Sequence, residues 1–135
     1  MQPKLQTTLQ WVLRLIAAII MLQTLYFKFS GSEESVYIFT QMGIEPWGRY
    51  ATGIAELIAS ILILYKPLTS FGSLMAIGIM SGALVSHILV LGIVVKDDSG
   101  LLFSYALIVW LASAILTWLN RVQLADFLKK VKKGK

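Results

Sequence analysis

Long apolar runs separated by short polar breaks give this chain its pattern, and four of the runs stand out, at about residues 9–29, 46–65, 68–95 and 101–119. A bilayer core roughly 30 Å thick is crossed by about 20 helical residues, so each run predicts one transmembrane helix. The third exceeds a perpendicular crossing and predicts a tilted helix. Pro46 and Pro67 stand in the first turns of the second and third runs, where a missing N–H is tolerated. Lys96-Asp97-Asp98-Ser99-Gly100 forms a polar turn with capping residues before the fourth. The first run does not read as a signal peptide: it is longer than a signal h-region, Arg14 interrupts its start, and no small-x-small site follows. The predicted fold is all-α, an integral membrane four-helix bundle forming one domain over residues 1–120, with a basic tail over 121–135.

Two shorter segments are amphipathic. In SGSEESVYIFTQMG, Ser32 caps a short helix, Glu33 and Glu34 lie in its first turn, and Gly43 closes it. Val36, Phe39 and Met42 share a face, which predicts a surface helix in the first outer loop, lying on the membrane or folded against the bundle. In the tail, Leu124, Phe127, Leu128 and Val131 fall at i, i+3, i+4 and i+7, interleaved with and followed by Lys129, Lys130, Lys132, Lys133 and Lys135. Two readings stand: an amphipathic basic helix on anionic lipid, worth about 1 kcal/mol per well-placed lysine, or a topology signal that frays into water.

Composition sharpens this picture. The 135 residues are 57% hydrophobic and 14% charged, with a mean hydropathy of +0.75, and the four runs leave no room among them for a separate soluble catalytic domain. With no cysteine, disulfides, thiol redox chemistry, iron–sulfur clusters and thiolate metal sites are excluded. A single histidine excludes a bis-histidine haem built from one copy and argues against a histidine-rich metal site. Any redox role then depends on a bound organic molecule or on a partner protein. The net charge of +5 is largely the tail and does not point to nucleic acid. Lys4, Arg14, Lys66, Arg121 and the tail lysines fall on one side of the bundle. Five of the seven acidic residues, Glu33, Glu34, Glu45, Asp97 and Asp98, fall on the other. The positive-inside rule then places both termini in the cytoplasm.

Three ionisable residues sit within spans: Arg14 in the first, Glu56 in the second and His87 in the third. A charge at mid-membrane costs on the order of 2.5–3.5 kcal/mol, so each needs a partner or a water-filled cavity. Arg14 and Lys28 lie two heptads apart, with Ala18, Met21 and Leu25 between them on one face. Arg49 and Glu56 share a face of the second helix roughly 10 Å apart along the axis, with Thr52, Gly53 and Ser60. On the third, His87 shares a stripe with Met80, Ala83 and Leu84, while Gly72, Ala76, Gly78, Gly82 and Ser86 thin the helix for close packing, Gly78 and Gly82 forming a GxxxG. If the charged faces meet, Arg14 approaches Glu56 from the inner side and Arg49, Lys28 and His87 from the outer side. The competing reading is a structural ion pair, most simply Arg14 with Glu56, that holds the bundle's register. His87 has two readings as well: a hydrogen bond to a backbone carbonyl or neighbouring helix, or a proton relay or ligand contact. Trp11, Trp47 and Trp118 read as interface belt; Trp110 and Tyr105 either wall a pocket for a flat ring or pack against core and lipid.

Taken in order, Arg14, YFKFSG at Tyr26–Gly31, FTQMG at Phe39–Gly43, EPWGR at Glu45–Arg49, GIAEL at Gly53–Leu57 and SGALVSH at Ser81–His87 resemble the DoxX-like membrane proteins, from about residue 11 to 119. The resemblance implies a small four-helix protein of a prokaryotic cytoplasmic (inner) membrane, in a family named for a component linked to thiosulfate:quinone oxidoreductase, whose relatives are described as membrane partners of redox or sulfur-handling enzymes. It supplies no catalytic residue set, so the candidate site comes from the charges: Arg14, Lys28, Arg49, Glu56, His87 and Tyr26 as an intramembrane polar cluster, with no metal site. The expected function is an accessory subunit of a membrane oxidoreductase complex with a pocket for a quinone or other lipophilic ligand. The alternative is a non-catalytic anchor or assembly subunit that recruits another membrane or redox protein through its helix faces or lysine tail. A transporter is less favoured, because one copy encloses little space and no inverted repeat is detectable, though a homo-oligomer would change that.

Overall fold

The computed structural model describes residues 3–134, and every regular element among them is helical. Lys135, the last of the tail lysines, lies outside the described residues. Helix α1 runs Pro3–Ser30, starting earlier than the hydropathy pattern indicates. The Thr7 and Thr8 hydroxyls bond back to the Pro3 and Lys4 carbonyls, each at 3.0 Å, within these extra turns. They extend past the level at which Gln10 meets Asn120, the residue that ends α5 (Leu101–Leu119), across 3.3 Å. The predicted stripe is the inward face of α1: Arg14, Ala17, Ala18, Met21 and Leu25 are buried.

Helix α2, Glu33–Gln41, begins as expected, with the Ser32 hydroxyl accepting from the Ser35 amide at 3.3 Å, and Gly43 follows it at φ +75°. It folds against the bundle through Ser35 and Phe39, with Val36 and Met42 half-buried beside them. Helix α3 spans Trp47–Leu64. A tight 3-10 turn at Lys66–Leu68 leads into α4, Thr69–Ser86, and the Thr69 hydroxyl closes it on the Ile63 carbonyl at 3.0 Å.

The third span differs from the expected 68–95. After Ser86 the helix widens into one π turn, His87–Leu91, and stops at Gly92, whose φ of +81° is open to glycine but costly for other residues. Residues 93–95 continue the apolar run without continuing the helix, because hydropathy does not register a change of backbone handedness. The loop that follows winds around Asp98. Lys96, Asp97 and Ser99 adopt left-handed φ values of 49°, 61° and 58°. The Asp98 carboxylate accepts from the amides of Val95 (3.0 Å), Gly100 (2.8 Å) and Leu102 (3.2 Å), thereby capping α5. Burial pushes this carboxyl up, but the three backbone donors outweigh it and hold Asp98 below the usual aspartate range.

Contacts between α1 and α3, α3 and α4, α4 and α5, and α5 and α1 close a ring of four helices. Its core is built largely of small and flexible residues, including Ala17, Met21, Ala59, Ala76, Met80, Ala106 and Ala112, while larger aliphatics such as Ile19, Ile54, Ile61, Leu107 and Leu111 face outward. That inversion suits lipid as the solvent, since hydrocarbon gives no drive to hide leucine and helices associate through close packing and polar contacts. All four helices of the ring are long and apolar enough to cross a membrane.

Close approach occurs at Gly72, where an added Cβ would lie 2.6 Å from the Ile63 amide nitrogen and 2.8 Å from the Ala59 carbonyl. At Gly78 and Gly82 it would meet nothing within 4 Å, so the predicted GxxxG is not a packing seam within this chain. Helix α6, Arg121–Lys133, is tied to the bundle by Gln123. Its carbonyl oxygen accepts from the Ser70 amide and hydroxyl (3.0 and 2.9 Å) and its amide donates to the Lys66 carbonyl (2.8 Å). The described chain therefore begins and finishes at one end of the ring, hereafter the terminal end; α2 and the Asp98 loop occupy the other, the loop end.

Candidate functional site

Toward the loop end the four helices part around a cavity of about 460 Å³, to which α2 contributes Glu34, Ser35, Ile38 and Phe39, and Met42 follows directly after that helix. Met21, Ile79, Met80 and Ala106 give it apolar wall; Thr24, Lys28, Thr52, Glu56, Ser86, His87 and Tyr105 give it polar groups. The sequence patterns explain how these meet. Lys28 and Thr24 are one helical turn apart on the inward stripe of α1, and Glu56 occupies the inward stripe of α3 opposite them.

Glu56 is 3% exposed, and its partner is Lys28 rather than Arg14. The Lys28 ammonium lies 3.3 Å from both carboxylate oxygens, and Thr24 Oγ1 lies 3.0 Å from Oε2. The Thr24 hydroxyl has a single proton and a second acceptor, the Met21 carbonyl, at 2.8 Å. It can donate to only one of these two acceptors at a time, so Thr24 satisfies Glu56 only while it leaves the Met21 carbonyl.

His87, 5% exposed in the first position of the π turn, places Nδ1 2.9 Å from the Gly92 carbonyl, with its ring edge-on to Phe103 at 5.7 Å between centroids. A carbonyl only accepts, so Nδ1 carries the proton of that bond and Nε2 is left as the ring atom without a partner among the described residues. Of the two sequence readings of His87, the backbone hydrogen bond is the one seen, on Nδ1, and the residue also lines the cavity. Glu34, at the start of α2 and outside the spans, is held above the usual glutamate range, by burial first and by the nearby Asp98 charge second, with Lys96 opposing.

The other predicted members lie elsewhere. Arg49 is a clamp for the end of α1: it forks onto Glu45, with Nε at 3.0 Å from both oxygens and a terminal nitrogen at 2.9 Å from Oε1. It also donates to the Lys28 carbonyl and lies 4.5 Å above the Tyr50 ring. Arg14 is at the terminal end, bonded to Gln10 at 3.1 Å and stacked on Trp11. Tyr26 is 71% exposed, points away from the cavity and packs edge-on against Phe27. Of the two aromatics considered as ring walls, Tyr105 lines the cavity, whereas the Trp110 indole donates to Ser81 at 3.0 Å between α5 and α4. Thr24, Glu34 and Ser35 were not anticipated as site residues. Thr24 was legible as the i−4 neighbour of Lys28, but the α2 groups become cavity lining only through the docking of that helix.

The family model described as DoxX matches residues 9–90, through α1–α4 and most of the π turn. No curated protein and no solved structure matches the chain.

Proposed function

The chain belongs to the DoxX family, and on that premise we propose that this multi-pass membrane protein is an accessory subunit of a membrane oxidoreductase complex whose loop-end cavity takes a small lipophilic ligand, with a quinone as the best-fitting class. The observation that carries the reading is the cavity itself: its volume falls in the range of small-molecule sites, its wall is mostly apolar, and its polar lining includes Lys28, Glu56, His87 and Tyr105. A quinone head group wants donors for its carbonyl oxygens and apolar walls for ring and tail. Lys28 and Tyr105 are donors, and Glu56 and His87 are groups able to hold and pass protons. A bound quinone would supply two-electron chemistry that a chain without cysteine does not offer, with electrons arriving from a partner subunit.

The charge distribution supports a cytoplasmic terminal end, with α6 laid on an anionic surface; the family resemblance implies that the membrane is a prokaryotic inner membrane. The test places the purified chain in lipid nanodiscs and titrates it with ubiquinone-1. Saturable binding is expected, weakened about tenfold or more in Glu56→Gln and His87→Ala; unaltered binding in both variants sinks the ligand reading. Co-purification from native membranes tests the complex: a flavin, haem or sulfur-handling enzyme recovered at a fixed ratio supports it.

One observation favours the alternative of a non-catalytic anchor or assembly subunit. The Lys28–Glu56 pair ties α1 to α3, as a purely architectural pair would. On that reading Glu56→Gln lowers the amount of folded protein and leaves the survivors with unchanged ligand binding.

A further inference from the structure

A second concavity, of about 160 Å³, lies at the terminal end where the early turns of α1 face the α3–α4 turn, and the proposed function makes no use of it. Thr7, Gln10, Trp11, Arg14 and Lys66 line it. Arg14 Cζ stands 4.9 Å from the Trp11 ring centroid and Lys66 Nζ 5.7 Å from the same centroid, so one indole serves two cations. Among the described residues neither cation is paired with a carboxylate; the ion pairs there are Lys28–Glu56, Arg49–Glu45 and Lys96–Glu33. Arg14 is 4% exposed, one terminal nitrogen donates to Gln10, and its Nε–H is buried without an acceptor among the described residues. The Gln10 side-chain oxygen accepts from both Arg14 and Asn120, which fixes the orientation of its amide and leaves the Gln10 NH₂ with no acceptor among the described residues.

Two like charges and surplus donors in one small cleft are stabilised by an anion. We propose that this cleft binds a phosphate group carrying net negative charge, supplied by the headgroup of an acidic phospholipid. Depth favours lipid as the source. Gln10 is level with the end of α5, so Arg14 lies about one helical turn inside that boundary, and the exposed Val12, Leu15 and Ile16 of the same helix offer an apolar surface for acyl chains. Tryptophan at this level is a familiar interfacial anchor, and basic pockets between helices are known to hold acidic headgroups.

The full chain, delipidated in mild detergent, is titrated separately with phosphatidylglycerol, phosphatidylcholine and inorganic phosphate and read by native mass spectrometry. One phosphatidylglycerol per chain is expected, held at least about fivefold more tightly than phosphatidylcholine. That preference is lost in Lys66→Gln and Arg14→Gln and kept when Lys129, Lys130, Lys132 and Lys133 are all changed to glutamine. Inorganic phosphate that binds the wild-type chain and is lost in the same two variants preserves the site and makes its ligand a free anion. Equal retention of the two lipids without phosphate binding overturns the proposal. So does a preference that survives both variants or vanishes only with the tail lysines. Lys66 is exposed, so its variant decides the matter even if Arg14→Gln does not fold.

Discussion

Replacing Lys28 with methionine keeps much of the side chain's length and removes the ammonium that bridges both Glu56 oxygens at 3.3 Å. At that separation two unit charges attract by about 5 kcal/mol for an effective dielectric of ~20. Desolvating each ion costs several kcal/mol, so the intact pair contributes little in net terms while the loss of one partner contributes a great deal. In Lys28→Met the Glu56 side chain, 4% exposed, keeps only Thr24, whose single proton also has the Met21 carbonyl in reach. Breaking a buried pair costs about 3–5 kcal/mol. The Lys28 side chain is 14% exposed and borders the cavity, which places this case at the lower end, about 3 kcal/mol, or more than a hundredfold in the folding equilibrium. The double variant Lys28→Met/Glu56→Gln no longer leaves an uncompensated charge and is expected to recover most of that loss. The assay is reversible unfolding in mixed micelles at increasing dodecyl sulfate fraction, followed by circular dichroism for the wild type, both single variants and the double. A Lys28→Met loss below about 1 kcal/mol, or strictly additive single losses, would refute the coupling.

Three further outcomes follow from the geometry. Gly72→Ala is expected to destabilise by about 1–3 kcal/mol, because the new methyl meets backbone atoms of α3 that have no room to yield, whereas Gly78→Ala should be neutral or slightly stabilising; equal unfolding midpoints for the two would contradict this. Asp98→Ala should cost about 1–2 kcal/mol at neutral pH through loss of the α5 cap. Since the folded Asp98 pKa lies below its ordinary value of 3.8, that contribution is complete above 3.8 and disappears as pH falls through the lower folded value. The wild-type and Asp98→Ala stability curves should therefore converge in acid, and a gap that stays constant would count against the cap. Arg49→Lys keeps the charge but loses the fork onto Glu45, so limited proteolysis should cut the 31–46 connection faster, and an unchanged rate would deny the clamp.

The sequence made the inward faces plain. The stripe from Arg14 through Ala18, Met21 and Leu25 to Lys28, and that of Arg49, Gly53, Glu56 and Ser60, both point to the bundle interior because helical period alone assigns a face. Period does not assign height. Arg14 is ten residues from Thr24, about 15 Å along the helix, too far for its side chain to reach the carboxylate that Thr24 and Lys28 contact. Counting the rise from the Arg49–Lys28 end would have selected the correct partner. The end of the third span was legible too, in Gly92 as a helix terminator, but the surrounding apolar residues masked it. The roof that α2 gives the cavity was not legible, since it depends on how an independently capped helix docks.

The Lys28–Glu56 pair also bears on how the protein enters its membrane. Of the four spanning helices α3 has the lowest mean hydropathy, 1.2 against 1.7, 2.2 and 1.9, and it carries Arg49 and Glu56 as well. A segment of this kind partitions poorly into lipid by itself. Synthesis delivers α1 first, so Lys28 is already at the membrane when the nascent Glu56 emerges, and the carboxylate can be neutralised by a neighbour that arrived earlier. Insertion of the second crossing is thus assisted by the first. Lys28→Met should consequently leave a larger fraction of newly made chains with α3 outside the bilayer, a failure of biogenesis that precedes any defect in the finished bundle.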